Sequence, residues 1–276
     1  MKEIRRKTPI PERGSAEADR LSPVAALVRR HDRDRYQTVL FAPATCREAL
    51  FALYAFNYEI ARVRESVTQP MLGQIRLQWW RENIAAAFAG DAIRHHPVVE
   101  PLGAAIREFG LTRDHFDRLI DARETDLADE PPASLAALED YAESTSARLV
   151  HLALEVLGVH NSAAGEAGHH IGIAYAIAGL LRLLPFRTRR IIPADIPMQE
   201  AVTELSAAAS RHLDAARAHR NTIPRSALPA LLPAIIAQRS LTRLKRAGYN
   251  PFDPVLATPD PLQSWRLAAA ALFNRF

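Results

Sequence analysis

The chain of 276 residues carries 35 basic and 31 acidic side chains, a formal charge of +4, and only 11 glycines. This mild charge is compatible with an anionic membrane surface or a phosphate-bearing ligand. The absence of Cys/His finger spacing and of a basic stripe interleaved with aromatic residues argues against a nucleic-acid partner. The single cysteine, Cys46, excludes an internal disulfide and a multi-cysteine metal site, and it favours a reducing, cytoplasmic compartment.

Apolar residues recur at helical spacing through almost the whole chain, and no alternating strand pattern is found. In chain order, helices are predicted around these stripes: Ala49, Leu53, Phe56, Ile60, Val63 and Val67; Leu77, Trp80, Ile84 and Phe88; Tyr141, Thr145, Leu149, Leu152 and Val156; Ile171, Ala174, Ala178 and Leu181; Val202, Leu205, Ala209, Leu213 and Ala216; and Leu262, Trp265, Ala269 and Leu272. The predicted fold class is therefore all-α.

Helix boundaries are predicted from residues that commonly start or stop helices. Pro43 precedes one helix, and Gln69–Pro70 with Gly73 separates two more. The remaining boundary signals are Ser134 as an N-cap, Gly158 after the helix that reaches Leu157, and Pro185 as the stop of the helix containing Ile171.

Residues 1–20 are predicted to be a flexible N-terminal tail, and residues 21–276 one helical domain, because no linker divides them. The longest apolar stretches, Ile171–Leu181 and Ala227–Ala237, are shorter than the about 20 residues that a membrane span needs. The positive charge, the arginine-rich stretch Arg182–Arg190 and the apolar segment Ala227–Ala237 instead predict peripheral attachment to anionic bilayers.

Histidines and carboxylates are candidate metal ligands, but their spacing is unfavourable. The adjacent pairs His95–His96 and His169–His170 point about 100° apart on a helix, and no His-Glu-x-x-His spacing occurs. Asp121 and Glu124 share a helix face from which Asp126 is turned away, a pattern typical of a solvated helix edge. We therefore expect neither a metal site nor a cofactor.

The segment from Leu50 to Glu82 contains two distinctive motifs, Leu-Phe-Ala-Leu-Tyr-Ala-Phe-Asn at 50–57 and Leu-Gln-Trp-Trp-Arg-Glu at 77–82. These motifs resemble the squalene and phytoene synthases. Further matches follow in the right order: His96-Pro97-Val98, Leu119-Ile120-Asp121 running to Asp126-Leu127, Leu138-Glu139-Asp140-Tyr141, Gly172 and Arg182. The resemblance implies an isoprenoid-synthase-type helical bundle around a central cavity, in which two aspartate-rich motifs hold magnesium against a diphosphate.

Both aspartate-rich motifs are degenerate in this chain. The family aspartates fall on Ala61, Arg62 and Glu65 at the first motif, and on Leu183 and Arg187 at the second. The usual glutamine and asparagine of the second helix fall on Ala176 and Gly179. Because carboxylates are replaced by arginines, the attraction for magnesium is lost and no catalytic residue is expected.

Other residues resemble a subgroup of this family with the same departures, which contains the mitochondrial complex I assembly factor and its bacterial relatives. They are Ala55-Phe56-Asn57 with Glu59, Gln78-Trp79-Trp80, Tyr141-Ala142-Glu143-Ser144-Thr145, His170-Ile171-Gly172 and Gln263-Ser264-Trp265-Arg266. The resemblance implies a protein without prenyl-transferase activity that assembles respiratory complex I (NADH dehydrogenase). Its partners would be complex I subunits or other assembly factors. It would be cytoplasmic and peripheral on the inner membrane, on the matrix side in a eukaryote.

Two other functions stay open at this point. An active prenyl transferase, requiring magnesium, would condense isoprenoid diphosphates at a site where arginines grip the diphosphate directly, since guanidinium groups bind phosphate well. The candidate arginines are Arg62, Arg182, Arg187, Arg189 and Arg190. An isoprenoid- or phospholipid-binding protein would use the cavity without turnover. The predicted cavity or partner contacts are Asn57, Trp79, Trp80, Ala176, Gly179 and Trp265.

Overall fold

The computed structural model describes residues 21–128, 130–187, 191–218 and 220–276, and within these ranges all regular secondary structure is helical, as predicted. The α-helices are α1 (Pro23–His31), α2 (Arg33–Val39), α3 (Ala44–Ala61), α4 (Pro70–Ala89), α5 (Val99–Phe109), α6 (Arg113–Thr125), α7 (Leu135–Ala142), α8 (Arg148–Val156), α9 (Ser162–Arg187), α10 (Met198–Ala218), α11 (Leu228–Leu231), α12 (Pro233–Arg246), α13 (Pro254–Ala257) and α14 (Gln263–Leu272). The predicted tail, residues 1–20, lies outside the described residues.

Helix α9 lies at the centre of the bundle and packs against α8, α10 and α12. Its residues Ile171, Ala174 and Ile177 are fully buried. By length and composition, the stretch Ser162–Phe186 is the one candidate membrane span among the described helices. However, 61% of its apolar window is buried inside the protein, as in the core helix of a globular bundle.

The prediction that Pro185 stops this helix is wrong, because α9 continues to Arg187 with the proline inside it. A proline in a helix removes the hydrogen bond that its own N–H would have donated, here to the carbonyl of Leu181. Leu184 is fully buried and holds this last turn against the core. Tertiary packing therefore overrides the local stop signal.

A π-helical turn, Glu143–Ala147, joins α7 to α8 and packs against α9. Gly172 of α9 lies so close to this turn that a Cβ on it would be 2.3 Å from the Cα of Ala147. Such a distance is a steric clash with backbone, so only glycine lets the two segments approach this closely. This contact aligns the residues of the π turn with those of α9, which matters for the site described below.

Gly73 was predicted to help separate two helices, but it lies inside α4, which already begins at Pro70. A Cβ on Gly73 would lie 2.4 Å from Cδ2 of Leu127, so this glycine marks close packing of α4 on the end of α6. The other boundary signals are confirmed. Ser134 Oγ accepts a hydrogen bond from the Ala137 N–H at 3.1 Å, and Gly158 follows α8 with a φ of +66°.

The C-terminal helices reverse two expectations about apolar segments. Most of Ala227–Ala237, predicted to face a membrane, is buried where α11 and α12 pack into the core. In contrast, the stripe of α14 that contains Trp265 and Leu272 faces solvent, and Leu267 and Ala270 pack inward. The spacing of apolar residues predicted that α14 is a helix. Which of its sides is buried depends on the helices that pack against it.

Candidate functional site

The first degenerate motif lies at the end of α3 and in the 3₁₀ turn Val63–Ser66. Ala61 is half-buried, while Arg62 and Glu65 are exposed. The Arg62 guanidinium lies over the Tyr58 ring at 5.4 Å from its centroid and pairs with Glu59 at 3.5 Å. It also lines a surface pocket of about 220 Å³ together with Trp79, Trp80 and His96 among others.

The second degenerate motif lies near the end of α9. Leu183 is 43% exposed. Arg187 ends the helix, but its side chain is outside the described part of the structure, as are Arg189 and Arg190. The structure therefore describes one of the late arginines in full, Arg182.

Arg182 is paired with an aspartate of α2, although its own side chain is 45% exposed. Its Nη1 lies 3.1 Å from Asp34 Oδ2. The Asp34 carboxylate also accepts hydrogen bonds from Gln263 Nε2 at 2.8 Å and from the Tyr175 hydroxyl at 3.4 Å. Burial acts to lower the pKa of Arg182, but the adjacent Tyr175 and Asp34 outweigh it and raise the pKa. This guanidinium is thus already matched by a carboxylate of the same chain.

A second arginine, Arg35 of α2, is almost fully enclosed. Its Nη1 donates to Asp32 Oδ2 at 2.8 Å, and the side chains of Arg35 and Asp32 are only 11% and 16% exposed. The guanidinium lies over the rings of Tyr54 and Tyr175, at 5.5 and 4.9 Å from their centroids. Burial raises the pKa of Tyr54 to about 12, although Arg35 acts to lower it. Both tyrosines therefore stay neutral at physiological pH.

A third arginine, Arg123 of α6, forms a neighbouring cluster. It hydrogen-bonds to the hydroxyl of Tyr141, and its Nη atoms lie 3.3 Å from Asp126 Oδ2 and 3.4 Å from Asn57 Oδ1. Tyr141 donates to the same Asp126 oxygen at 3.0 Å. The Nε–H of Arg123 is buried without a hydrogen-bond partner. Burial raises the pKa of Tyr141, so the phenol is a donor and not an anion.

These contacts form two neighbouring clusters, one around Arg35 and Arg182 and one around Arg123, which are here together called the interior network. Their side chains come from α2, α3, α6, α7, the π turn and α9 and from the residues that cap α2 and α6. The members of the interior network are Asp34, Asp32, Arg35, Tyr54, Asn57, Arg123, Asp126, Tyr141, Ser146, Tyr175 and Arg182. Each of the three arginines faces a carboxylate, so the charges compensate one another. Neither Arg35 nor Tyr175 was predicted as a site residue, because nothing in the local sequence pattern shows that α2 enters the interior.

A magnesium site does not fit this arrangement. Magnesium prefers carboxylate oxygens and keeps several waters. At the degenerate positions, Ala61 and Leu183 supply no oxygen ligand and Arg62 supplies a positive charge. Among the described residues, no group of three or more His, Cys, Asp or Glu side chains could hold a metal ion. The three aspartates of the interior network are engaged with arginines instead.

The other predicted contact residues lie in four places. Asn57 belongs to the interior network, and Gly179 on α9 faces open space, since a Cβ there would meet no atom within 4 Å. Trp80 is buried against Phe56 with ring centroids 5.3 Å apart, whereas Trp79 is half-buried beside it. Ala176, like Gly179, is half-buried on α9. Trp265 stands 75% exposed on α14.

The acidic residues of α6 divide as the sequence predicted. Arg81 of α4 bridges Asp121 and Glu124 at the helix surface, with 2.7 Å between its Nη1 and Glu124 Oε1. Asp126 instead turns toward the interior network. The solvated-edge interpretation is therefore confirmed for Asp121 and Glu124, and Asp126 has a separate role as the partner of Arg123.

A second polar group, here called the histidine row, lies across α6, α8, α9 and α10. Its members are His115, His151, His169, His170 and His212. Consecutive ring centroids are 5.2, 6.4, 5.3 and 5.0 Å apart. The Nδ1 atoms of His170 and His212 are 2.8 Å apart, which requires that at least one of these rings is neutral and accepts a hydrogen bond.

The histidine row is held neutral by its surroundings. Burial lowers the pKa of His151 to about 4, and so does the repulsion from Arg148 and from His115 and His169 once these rings are protonated. Burial also lowers the pKa values of the other four histidines. Sequence spacing did not reveal this row, because its members come from four separate helices.

The chain is similar in sequence to two kinds of known protein. The NADH dehydrogenase (ubiquinone) complex I, assembly factor 6 of Rattus norvegicus is 33% identical over 268 residues, which cover 87% of this chain and 80% of the relative. A presqualene diphosphate synthase of Rhodopseudomonas palustris is 28% identical over 148 residues, 53% of this chain and 52% of the enzyme. The similarity to the assembly factor thus extends over much more of the chain.

The fold has a counterpart among solved structures. The crystal structure of squalene synthase HpnC from Alicyclobacillus acidocaldarius superposes with a TM-score of 0.73 at 20% identity, over 83% of this chain and 94% of that one. The isoprenoid-synthase-type bundle implied by the sequence resemblance is confirmed by this match. The family model described as squalene/phytoene synthase matches residues 28–268, and the chain belongs to this family.

Proposed function

We propose that this protein is a member of the squalene/phytoene synthase family that has lost prenyl-transferase activity and acts as an assembly factor for respiratory complex I. The observation that carries the proposal is the interior network. A catalytic member needs carboxylates that are free to bind magnesium. The aspartates of the interior network are instead paired with Arg35, Arg123 and Arg182. Charge pairs of this kind stabilise the fold, but paired carboxylates hold no metal ion that would assist the departure of a diphosphate.

Similarity to the assembly factors supports the same proposal. It extends over 87% of this chain, while the presqualene diphosphate synthase aligns with about half of it. A chain used for its shape works by binding, so its partners would be complex I subunits or other assembly factors. On this proposal the protein acts where complex I is built, in the cytoplasm of a bacterium or the matrix of a mitochondrion.

The test is deletion of the gene in the source organism. We expect less assembled complex I on a native gel and lower NADH-dependent respiration, with unchanged squalene, carotenoids and hopanoids. The unmodified gene should restore both. Normal complex I together with a missing isoprenoid product would contradict the proposal and favour the prenyl-transferase alternative.

A biochemical experiment tests the loss of catalysis separately. Purified protein should release no more diphosphate from farnesyl diphosphate with magnesium than without it, while an active squalene synthase serves as the positive control. The reason is that Ala61, Arg62 and Leu183 cannot bind the metal. Magnesium-stimulated release well above the blank would restore the prenyl-transferase alternative, with magnesium as its cofactor.

A second candidate function, binding of an isoprenoid or phospholipid without turnover, is favoured by one observation. Gly179 and the neighbouring small residue Ala176 leave space on the inner helix α9, where a Cβ on Gly179 would meet nothing within 4 Å. On this proposal an acyl or prenyl chain would lie against this part of α9. Mass spectrometry of lipids that copurify with the native protein, compared with a Gly179→Leu variant, tests it. Equal lipid recovery from both proteins would contradict the idea.

A further inference from the structure

Helix α14 is fixed to the bundle by one side only. Leu267 is fully buried and Ala270 is 7% exposed, so both pack inward. Gln263 donates hydrogen bonds to Asp34 and Gln37, each at 2.8 Å. These contacts set the orientation of the helix and decide which side faces solvent.

The opposite side of α14 is apolar and exposed. It consists of Leu262, Trp265, Leu272 and Phe273, which are 51%, 75%, 68% and 66% exposed and are here called the C-terminal apolar face. Residues 262, 265, 269 and 272 follow helical spacing and therefore lie on one side of the helix. Single exposed apolar residues are ordinary, but a continuous stripe with a tryptophan and a phenylalanine marks a binding surface.

The chain end holds this face in place. Arg225 donates to the carbonyl of Ala271 at 3.3 Å, and Arg217 donates to the carbonyl of Phe276 at 3.2 Å. Asn274 adopts a positive φ of 50°, and the N–H of Arg275 returns to the carbonyl of Ala270 at 2.8 Å. The turn buries Phe276 and leaves Phe273 outside. The exposure of the C-terminal apolar face is thus a consequence of defined contacts.

The surrounding part of the chain is strongly basic. Residues 220–276 contain eight basic residues, namely Arg220, Arg225, Arg239, Arg243, Lys245, Arg246, Arg266 and Arg275, and two acidic ones, Asp253 and Asp260. Asp260 is bound by Arg239 at 3.1 Å and by Arg266 at 3.2 Å and is 7% exposed. This segment, which includes α14, therefore carries a formal charge of +6, whereas the whole chain carries +4.

We infer that the C-terminal apolar face docks on an anionic lipid bilayer, with Trp265 and Phe273 at the headgroup level. Tryptophan favours this boundary, apolar side chains beside it enter the acyl region, and flanking basic residues are attracted to anionic lipids. A second copy of the chain is a poorer occupant, because a two-fold contact through this face would bring two basic surfaces together. The inference is independent of the proposed role in complex I assembly.

Vesicle flotation tests the inference with the full-length protein. The protein should float with vesicles of phosphatidylcholine containing about 30% phosphatidylglycerol and remain unbound with pure phosphatidylcholine. Raising the salt from about 0.05 to about 0.5 M should reduce binding about tenfold, since exposed charges are screened. The triple variant Trp265→Ser, Leu272→Ser and Phe273→Ser should reduce it by about tenfold or more at low salt.

A matched control separates this surface from general apolar exposure. Met71, Leu72 and Ile75 on α4 are also exposed, by 68%, 45% and 59%, and their triple replacement by serine should leave flotation unchanged. Circular dichroism and light scattering check that each variant is folded and report its oligomeric state. The inference is overturned by a lack of binding to anionic vesicles or by an α14 variant that floats like the unmodified protein. A wild-type dimer that the α14 variant dissociates, without vesicle binding, would also overturn it and identify a second copy as the occupant.

Discussion

The interior network and the histidine row are both polar groups set among apolar helices, and the π turn Glu143–Ala147 contributes to each. Ser146 hydrogen-bonds to Arg35 on one side, while Glu143 pairs with Arg148, which faces the histidines, on the other. The first group is made of permanent charges in compensating pairs. The second is made of side chains kept neutral because burial and neighbouring cations oppose protonation.

The same fold thus accommodates two kinds of buried polar group, which respond differently to mutation and to pH. Arginine–aspartate pairs remain charged over the physiological pH range, so the interior network depends on keeping both partners. Histidines ordinarily titrate near pH 6.5, so the histidine row depends on the pH of the solution. Removing a partner should therefore damage the interior network at every pH, whereas acid should weaken the histidine row first.

The largest effect is expected from Arg35→Met. This change leaves the Asp32 carboxylate, 16% exposed, without its guanidinium partner, and it should lower the free energy of unfolding by about 3 kcal/mol. Urea denaturation at neutral pH measures it. The control is Arg62→Met, because Arg62 is 44% exposed in its surface pair and should cost about 0.5 kcal/mol. Equal losses in the two variants would show that Arg35 is not an interior charge.

An intermediate effect is expected from Gly172→Ala, which targets the contact that positions the π turn between the two groups. The new Cβ would lie 2.3 Å from the Cα of Ala147, and backbone must shift to accommodate it, at a cost of about 2 kcal/mol. Gly179→Ala is the matched control, because its Cβ meets nothing within 4 Å and alanine should stabilise the helix by up to about 1 kcal/mol. Thermal unfolding of both variants tests the contrast, and an unperturbed Gly172→Ala protein would contradict the close approach.

The smallest effect is expected from pH and concerns His151. Its folded pKa, about 4, lies below the unfolded value of about 6.5, so the unfolded state binds more protons between these values. Stability is therefore fully present above about pH 6.5 and is lost as the pH falls toward 4. The two pKa values set an upper bound of about 2 kcal/mol at pH 5, and solvent screening at this partly exposed ring reduces the expected loss to about 1 kcal/mol. The facing groups are His115 from α6, His169 from α9, and Arg148 and Glu143.

Urea denaturation between pH 7.5 and 5 measures this loss. His151→Gln should reduce the pH dependence, with the other four histidines of the row supplying the remainder, whereas His160→Gln, at an exposed position before α9, should leave it as in the unmodified protein. A His151→Gln protein with the original slope would assign the acid sensitivity to another part of the molecule.

Much of the architecture was predictable from local signals. The stripe through Leu53, Phe56 and Ile60 predicted α3, and Ser134 predicted the start of α7, because helical spacing and capping act within a few residues. The loss of carboxylates at Ala61, Arg62 and Leu183 was also readable from the order of motifs. The signals failed at Pro185 and Gly73, where packing against distant residues outweighs a local preference.

By itself, the sequence determined the all-helical class, the family resemblance and the residues that stand where metal ligands are expected. Three features depend on how the helices pack: the pairing of Arg35 with Asp32 and of Arg182 with Asp34, the row of five histidines from four helices, and the outward orientation of the apolar stripe of α14. The physical reason is range. Backbone propensity and capping are set by neighbours along the chain, whereas charge pairing and burial depend on which distant helices pack together.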